Sequence, residues 1–266
     1  MKLSLAGWSL NQLFLAKPEP KLKLLDFPAF TRDNFGIDAI ELNSPFFESR
    51  EPDYLNKLMA AAEKAGVKLL NIAVDEKGDL ASDDDAERTA GVANYARWIP
   101  VAKEIGCSAI RANSGGKNIS DRDRAIKQCI DSFRKLADEG EKHDVTILME
   151  NHWGLSSDAD SIVRVMQGVE ETHGEGSIGT LPDFGNWPDD ADRYASLEKI
   201  MPWAEAVHAK VLDIDENLEH PKFDLAKCVA IAREGGYDWY LGIEYEGAGE
   251  CVEGVKRAVK KLSGLI

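Results

Sequence analysis

The stretch Thr146-Ile147-Leu148-Met149-Glu150-Asn151-His152 is a short apolar run that stops on a carboxylate and then turns polar. A parallel strand covered by helices has this form, because both of its faces are buried. Its charged last residue marks a carboxyl end, the place where the loops of barrel folds converge on one point. A segment of helical spacing follows at residues 158–169. The same cycle of glycine-containing turn, short apolar run, polar end and helical segment extends in both directions along the chain.

Strands are predicted at residues 3–9, 39–43, 68–73, 109–112, 146–150, 179–183, 206–210 and 240–244. Helices are predicted at 53–65, 86–105, 121–143, 158–169, 191–201, 224–234 and 250–262, with a weaker one around 21–35 that Pro28 interrupts. In 86–105 the residues Val92, Tyr95, Ala96, Ile99 and Ala102 recur at spacings of three and four, one buried stripe. Gly66, Gly106 and Gly235 sit where helices should end in left-handed caps. Eight alternating units predict an α/β fold closed as a (β/α)8 TIM barrel, one domain over residues 1–266. A doubly wound open sheet usually shows a G-x-G-x-x-G turn after an early strand, and none occurs here.

With 266 residues, 44% of them hydrophobic and 30% charged, the chain can bury a sizeable core and is not disordered. A formal charge of −15 opposes a nucleic-acid partner, whose phosphates call for clustered Lys and Arg. The acidic run at 79–85 reads as a solvated loop. Cys107, Cys129, Cys228 and Cys251 are widely spaced and fit reduced thiols in the cytoplasm. The N-terminus lacks the apolar core of a signal peptide, and no stretch is long enough to span a membrane. The expected partner is a small molecule, with a homo-oligomer left open.

Strand ends five to eight carry Glu150, Asp183 in Gly179-Thr180-Leu181-Pro182-Asp183-Phe184, His208 in Val207-His208-Ala209-Lys210, and Glu244 in Gly242-Ile243-Glu244-Tyr245. Each follows the last by about one βα unit, so all four can face one central point. Three carboxylates and one imidazole make an oxygen-rich set suited to one divalent ion. Each residue taken alone could instead cap a helix or pair with a base.

Glu, Asp, His and Glu at the ends of strands five to eight resemble the xylose isomerase-like TIM-barrel family, also called the sugar phosphate isomerase/epimerase superfamily. The likeness spans essentially the whole chain in strand order and spacing. It implies one metal ion held by Glu150, Asp183, His208 and Glu244, with Mn²⁺ first and Mg²⁺, Co²⁺ or Zn²⁺ as alternatives. It also implies a sugar isomerase or epimerase in which Glu150 and Glu244 move the proton next to a carbonyl through an enediolate. A metal-dependent lyase acting on an inosose or a 3-keto-glycoside is the alternative. Free-ketose epimerases of this family usually carry a His three residues after the metal-binding Asp and an Arg beyond the metal-binding His. This chain has Asn186 at the first place, and Val211-Leu212-Asp213 runs beyond His208 without an Arg. Apurinic-site endonucleases share the fold but need a His-rich zinc cluster, which five His and the −15 charge oppose.

His152, two residues beyond Glu150, contacts substrate if the extended geometry continues, or else binds backbone. Lys210 stands in the same relation to His208, and a cation there offsets three carboxylates against a divalent ion. Arg111, at the fourth strand end, either contacts substrate or pairs with a neighbouring acid. Asn186 and Trp187 on the loop after Asp183, and Trp8 after the first strand, are substrate-contact candidates. Like Phe46, Phe47 and Trp153, the Trp rings can cover a sugar C–H face or simply pack.

Overall fold

The structure, a computed structural model, describes residues 1–116 and 119–266. Its strands are β1 (Lys2–Ala6), β2 (Ala39–Asn43), β3 (Lys68–Ala73), β4 (Ala109–Ala112), β5 (Thr146–Glu150), β6 (Gly179–Leu181), β7 (Val207–Val211) and β8 (Tyr240–Tyr245). The helices are α1 (Asn11–Phe14), α2 (Phe27–Phe35), α3 (Pro52–Ala65), α4 (Asp85–Ala96), α5 (Ile99–Glu104), α6 (Arg122–His143), α7 (Ala159–His173), α8 (Arg193–Ile200), α9 (Leu225–Glu234) and α10 (Cys251–Ser263). The strands are all parallel and neighbour one another in the order β6-β5-β4-β3-β2-β1-β8-β7. Isolated parallel bridges Thr180↔Ala204 and Asp183↔His208 join the two ends, so the sheet closes as a (β/α)8 barrel.

Two corrections to the expected elements have backbone causes. The helix expected over 86–105 is two, because Pro100 has no N–H to donate back to Ala96 and the chain breaks at Arg97 and Trp98. The expected first strand turns at Gly7 into a short 3-10 turn, where the Ser9 hydroxyl donates to the Ile243 carbonyl and accepts from the Tyr245 N–H. Gly66 and Gly106 take left-handed conformations as expected, whereas Gly235 is right-handed and Gly236 carries the positive φ. The helix expected over 21–35 forms only as α2, with Pro28 in its first turn, where no hydrogen bond is lost.

Period-two alternation assigns the strand residues. Ile110, Ile147, Met149, Val207, Ala209, Leu241 and Ile243 join the main core with the apolar stripes of the helices. Ala109, Leu148 and Leu181, with Ala206, form a separate small cluster on the opposite strand faces, which is the apolar part of the barrel interior. The next residues in that alternation are Arg111, Glu150, Asp183 and His208. Among the described residues no helix is long and apolar enough to cross a membrane.

Phe133 is fully buried on the inner stripe of α6. Phe133→Ala is expected to cost about 3–5 kcal/mol of stability, read from urea unfolding. A loss under about 1 kcal/mol would show that the outer core is not packed as described.

Candidate functional site

Glu150 ends β5, His208 lies in β7 and Glu244 in β8, while Asp183 sits just past β6, bridged to His208. All four side chains are buried, and one ligand atom from each lies within 4.8 Å of the others. His208 Nδ1 is 3.6 Å from Glu244 Oε2, 3.7 Å from Glu150 Oε1 and 4.0 Å from Asp183 Oδ2. Ligand bonds of about 2.1 Å set tetrahedral donors roughly 3.4 Å apart and opposed donors roughly 4.2 Å apart, so these spacings suit a shared ion.

The polar atoms bear this out chemically. Glu150 Oε2, Asp183 Oδ2, His208 Nδ1 and Glu244 Oε2 are all buried: Asp183 Oδ2 and His208 Nδ1 have no hydrogen-bond partner, and Glu150 Oε2 and Glu244 Oε2 meet the cations Arg111 and Lys210. Buried polar atoms that lack a hydrogen-bond partner are costly and uncommon, and these four ligand-type residues together could hold a cation. Mainly oxygen ligands favour Mn²⁺ or Mg²⁺, and the imidazole admits Zn²⁺ or Co²⁺.

The remaining atoms of these residues are tied down. Asp183 Oδ1 accepts from the Gly185 N–H at 2.6 Å and the Asn186 N–H at 2.8 Å. The Asn151 amide spans the Asp183 backbone, accepting its N–H at 2.7 Å and donating to its carbonyl at 2.9 Å. Asn186 Nδ2 donates to Glu150 Oε1 at 3.0 Å. Arg111 lies between two acids, with Nε 2.9 Å from Glu150 Oε2 and a terminal nitrogen 2.8 Å from Asp75 Oδ1. Of its two expected roles, pairing with a neighbouring acid is the one seen.

Lys210 is buried, its ammonium touching Glu244 Oε2 and lying 3.3 Å from Glu246 and 3.8 Å from Asp183. A Cβ on Gly185 would collide with the Lys210 side chain, so glycine there makes the room. β5 stops at Glu150, so strand alternation does not place His152. Its N–H donates to Ser156 Oγ at 3.2 Å, its Nδ1 is buried without a partner, and Glu150, Arg111, Lys210 and Glu244 are the charges it feels. Trp187 is buried with its indole N–H unpartnered. Trp8 stacks on Phe46 at 5.8 Å, and Phe47 packs edge-on against Trp98.

Glu41, in β2, proves to be part of the site's support. It is buried inside the barrel, with Oε2 2.8 Å from His208 Nε2. The available signal was a glutamate within the apolar run Ala39-Ile40-Glu41-Leu42, since a buried charge needs a partner.

Charge sets the protonation pattern. Burial pushes the Glu150 carboxyl up, but Arg111 and His208 hold it below the usual range. Burial acts likewise on Glu244, and Lys210 and His208 draw it well below. For Asp183 burial dominates, Lys210 opposes it and Glu244 and Glu150 add to it, so its carboxyl is pushed up to about 8. Burial would make His208 less basic, yet Glu41 and Glu244 raise it well above the ordinary imidazole value.

Comparison with known proteins places this geometry. A family model described as xylose isomerase-like TIM barrel matches residues 32–264. A curated relative, the C-glycoside deglycosidase alpha subunit of Arthrobacter globiformis, is 28% identical over 207 residues, covering 75% of this chain and 53% of the relative. The chain thus spans about half the length of that relative. Among solved structures, the IOLI protein with a bound zinc atom superposes with a TM-score of 0.77 at 15% identity, covering 100% of this chain and 99% of that one. The 3-keto-D-glucoside 4-epimerase of E. coli gives 0.75 at 14% identity, covering 100% and 98%. At these identities the two structures establish the fold alone.

Asp183 has a folded-state carboxyl above its unfolded value of about 3.9. In ion-free protein its contribution to stability is therefore full below about pH 4 and lost as pH rises toward 8. A cation takes the place of the proton, so Mn²⁺ should raise the unfolding midpoint more at pH 8.5 than at pH 6, and its binding should release protons near neutrality. Thermal melts at both pH values check this, and a pH-independent increment would contradict it.

Proposed function

The chain belongs to the xylose isomerase-like TIM-barrel family, and from that premise we propose that it is a divalent-metal-dependent sugar isomerase or epimerase. The observation that carries the reading is the buried cluster of Glu150, Asp183, His208 and Glu244, in which one ligand atom from each lies within 4.8 Å of the others. These residues would hold one ion, Mn²⁺ in the first place. Bound there, the ion would supply Lewis-acid stabilisation to negative charge growing on the substrate's carbonyl and hydroxyl oxygens.

The chain's own groups do the proton work. Glu150 from β5 and Glu244 from β8 both belong to the cluster, and both are held ionised at neutral pH by Arg111, Lys210 and His208. Glu150 takes the proton from the carbon next to the carbonyl, and Glu244 returns to carbon a proton that it first accepts from the Lys210 ammonium touching it. Asn186 and Arg111 hold Glu150 in place. Trp8, Trp187 and His152 would line the sugar, a ring against its C–H face and the unpartnered imidazole and indole nitrogens toward its hydroxyls.

A second reading, elimination from an inosose or a 3-keto-glycoside, is favoured by Lys210. Its ammonium touches Glu244 and is kept protonated against burial by Asp183, Glu244 and Glu246. In this reaction a glutamate removes the α-proton, the freed pair forms a carbon–carbon double bond, the bond to the β-oxygen breaks, and that oxygen takes the lysine proton. The deglycosidase relative and the missing ketose-binding His and Arg support this course.

The substrate is read as unphosphorylated. Helix N-termini attract phosphate, but those of α4, α6, α7, α8, α9 and α10 already hold Asp84, Asp121, Asp158, Asp192, Asp224 and Glu250 as capping carboxylates. A phosphorylated analogue should be turned over at least about 100-fold less efficiently, since like-charge contact costs several kcal/mol.

Incubating Mn²⁺-loaded protein with ketoses, inososes and 3-keto-glycosides in D₂O tests the reading. Deuterium at carbon with the skeleton kept marks an isomerase or epimerase, and loss of water or alcohol marks a lyase. Glu150→Gln is expected to abolish exchange, and full exchange in that variant would remove Glu150 from its role.

A further inference from the structure

His208 can offer a cation only one nitrogen at a time, and nothing in its own strand chooses which. The choice is made by Glu41. Its carboxylate accepts Ser4 Oγ–H on Oε1 at 2.6 Å, and Asn71 Nδ2–H at 2.9 Å and His208 Nε2–H at 2.8 Å on Oε2. These partners come from β1, β3 and β7, so the carboxylate ties four strands together inside the barrel. β8 leaves the space, because a Cβ on Gly242 would collide with Glu41 Oε1 and stand 2.8 Å from His208 Cδ2. With Nε2 engaged below, Nδ1 is left unpartnered and faces Glu150, Asp183 and Glu244.

A carboxylate buried this way is a poor means of stabilising a barrel, since a well-packed apolar side chain usually serves as well or better. What it provides is direction. We propose that Glu41 is a positioning residue that locks His208 in the Nε2–H tautomer and so presents the Nδ1 lone pair to the bound cation. The inference rests on the metal-site reading above. Carboxylates behind metal-binding imidazoles hold ring orientation and raise basicity, and losing one typically weakens metal affinity about 10–100-fold. A glutamine can keep these bonds, its oxygen toward Asn71 and His208 and its NH₂ toward the Ser4 hydroxyl, but it lacks the negative charge that makes the imidazole a stronger ligand.

The test uses the whole chain and the metal alone. Free Mn²⁺ is followed by electron paramagnetic resonance during titration of wild type, Glu41→Gln and Asn71→Ala. Glu41→Gln should weaken Mn²⁺ binding about 10–100-fold, while Asn71→Ala, which leaves the Glu41–His208 bond, should stay within about threefold of wild type. Independently of any variant, Zn²⁺-loaded protein labelled with ¹⁵N-histidine should show His208 with a protonated Nε2 and an unprotonated Nδ1. Glu41→Gln binding like wild type, Asn71→Ala losing as much as Glu41→Gln, or a His208 protonated at Nδ1 would each overturn the proposal. Should Glu41→Gln fail to fold, the wild-type nitrogen spectrum decides. A wild type that binds neither ion would instead remove the metal site itself, and this inference with it.

Discussion

Three carboxylates and an imidazole brought within 4.8 Å of one another, out of water, are the constraint to which the rest of the molecule answers. Like charges at that spacing in a low-dielectric setting repel strongly, and the fold offsets this by several local means. Arg111 sits against Glu150, Lys210 against Glu244, and His208 among all three acids. What remains uncompensated falls on Asp183, whose carboxyl is pushed up to about 8. The positive groups are themselves buried, so each depends on its acid as much as the acid depends on it.

The same residues close the barrel. Between β6 and β7 there is no continuous ladder, only isolated bridges. One of them pairs Asp183 with His208, where the His208 N–H donates to the Pro182 carbonyl and the Phe184 N–H to the His208 carbonyl. Pro182 offers no donor of its own, which helps explain why the seam is thin. A cation shared by Asp183 and His208 would cross that seam, coupling the closing of the sheet to the assembly of the site. Glu41 works beneath it, joining β1, β2, β3 and β7 through one carboxylate.

The proposed chemistry, movement of a proton beside a carbonyl, would draw on two glutamates held in ionised form within this cluster. Lys210, given room by the absence of a side chain at Gly185, sits against Glu244, where the proposed elimination would need its proton.

The fold and the four residues of the cluster were legible in the sequence because both obey short-range rules. Runs such as Ile147-Leu148-Met149-Glu150 show burial on both faces and a charged end, and residues two apart, such as Leu148 and Glu150, share a strand face whatever surrounds them. Pro100 was visible too, though the spacing of apolar residues across it outweighed the missing N–H and hid the break between α4 and α5. Only tertiary structure decided that Arg111 turns to Asp75 and Glu150, that Asn186 braces Glu150, and that Glu41 meets His208 from 167 residues away. Periodicity records which way a side chain points from its own backbone, but the identity of its partner depends on strand order, register and closure, and these exist only once the barrel has formed.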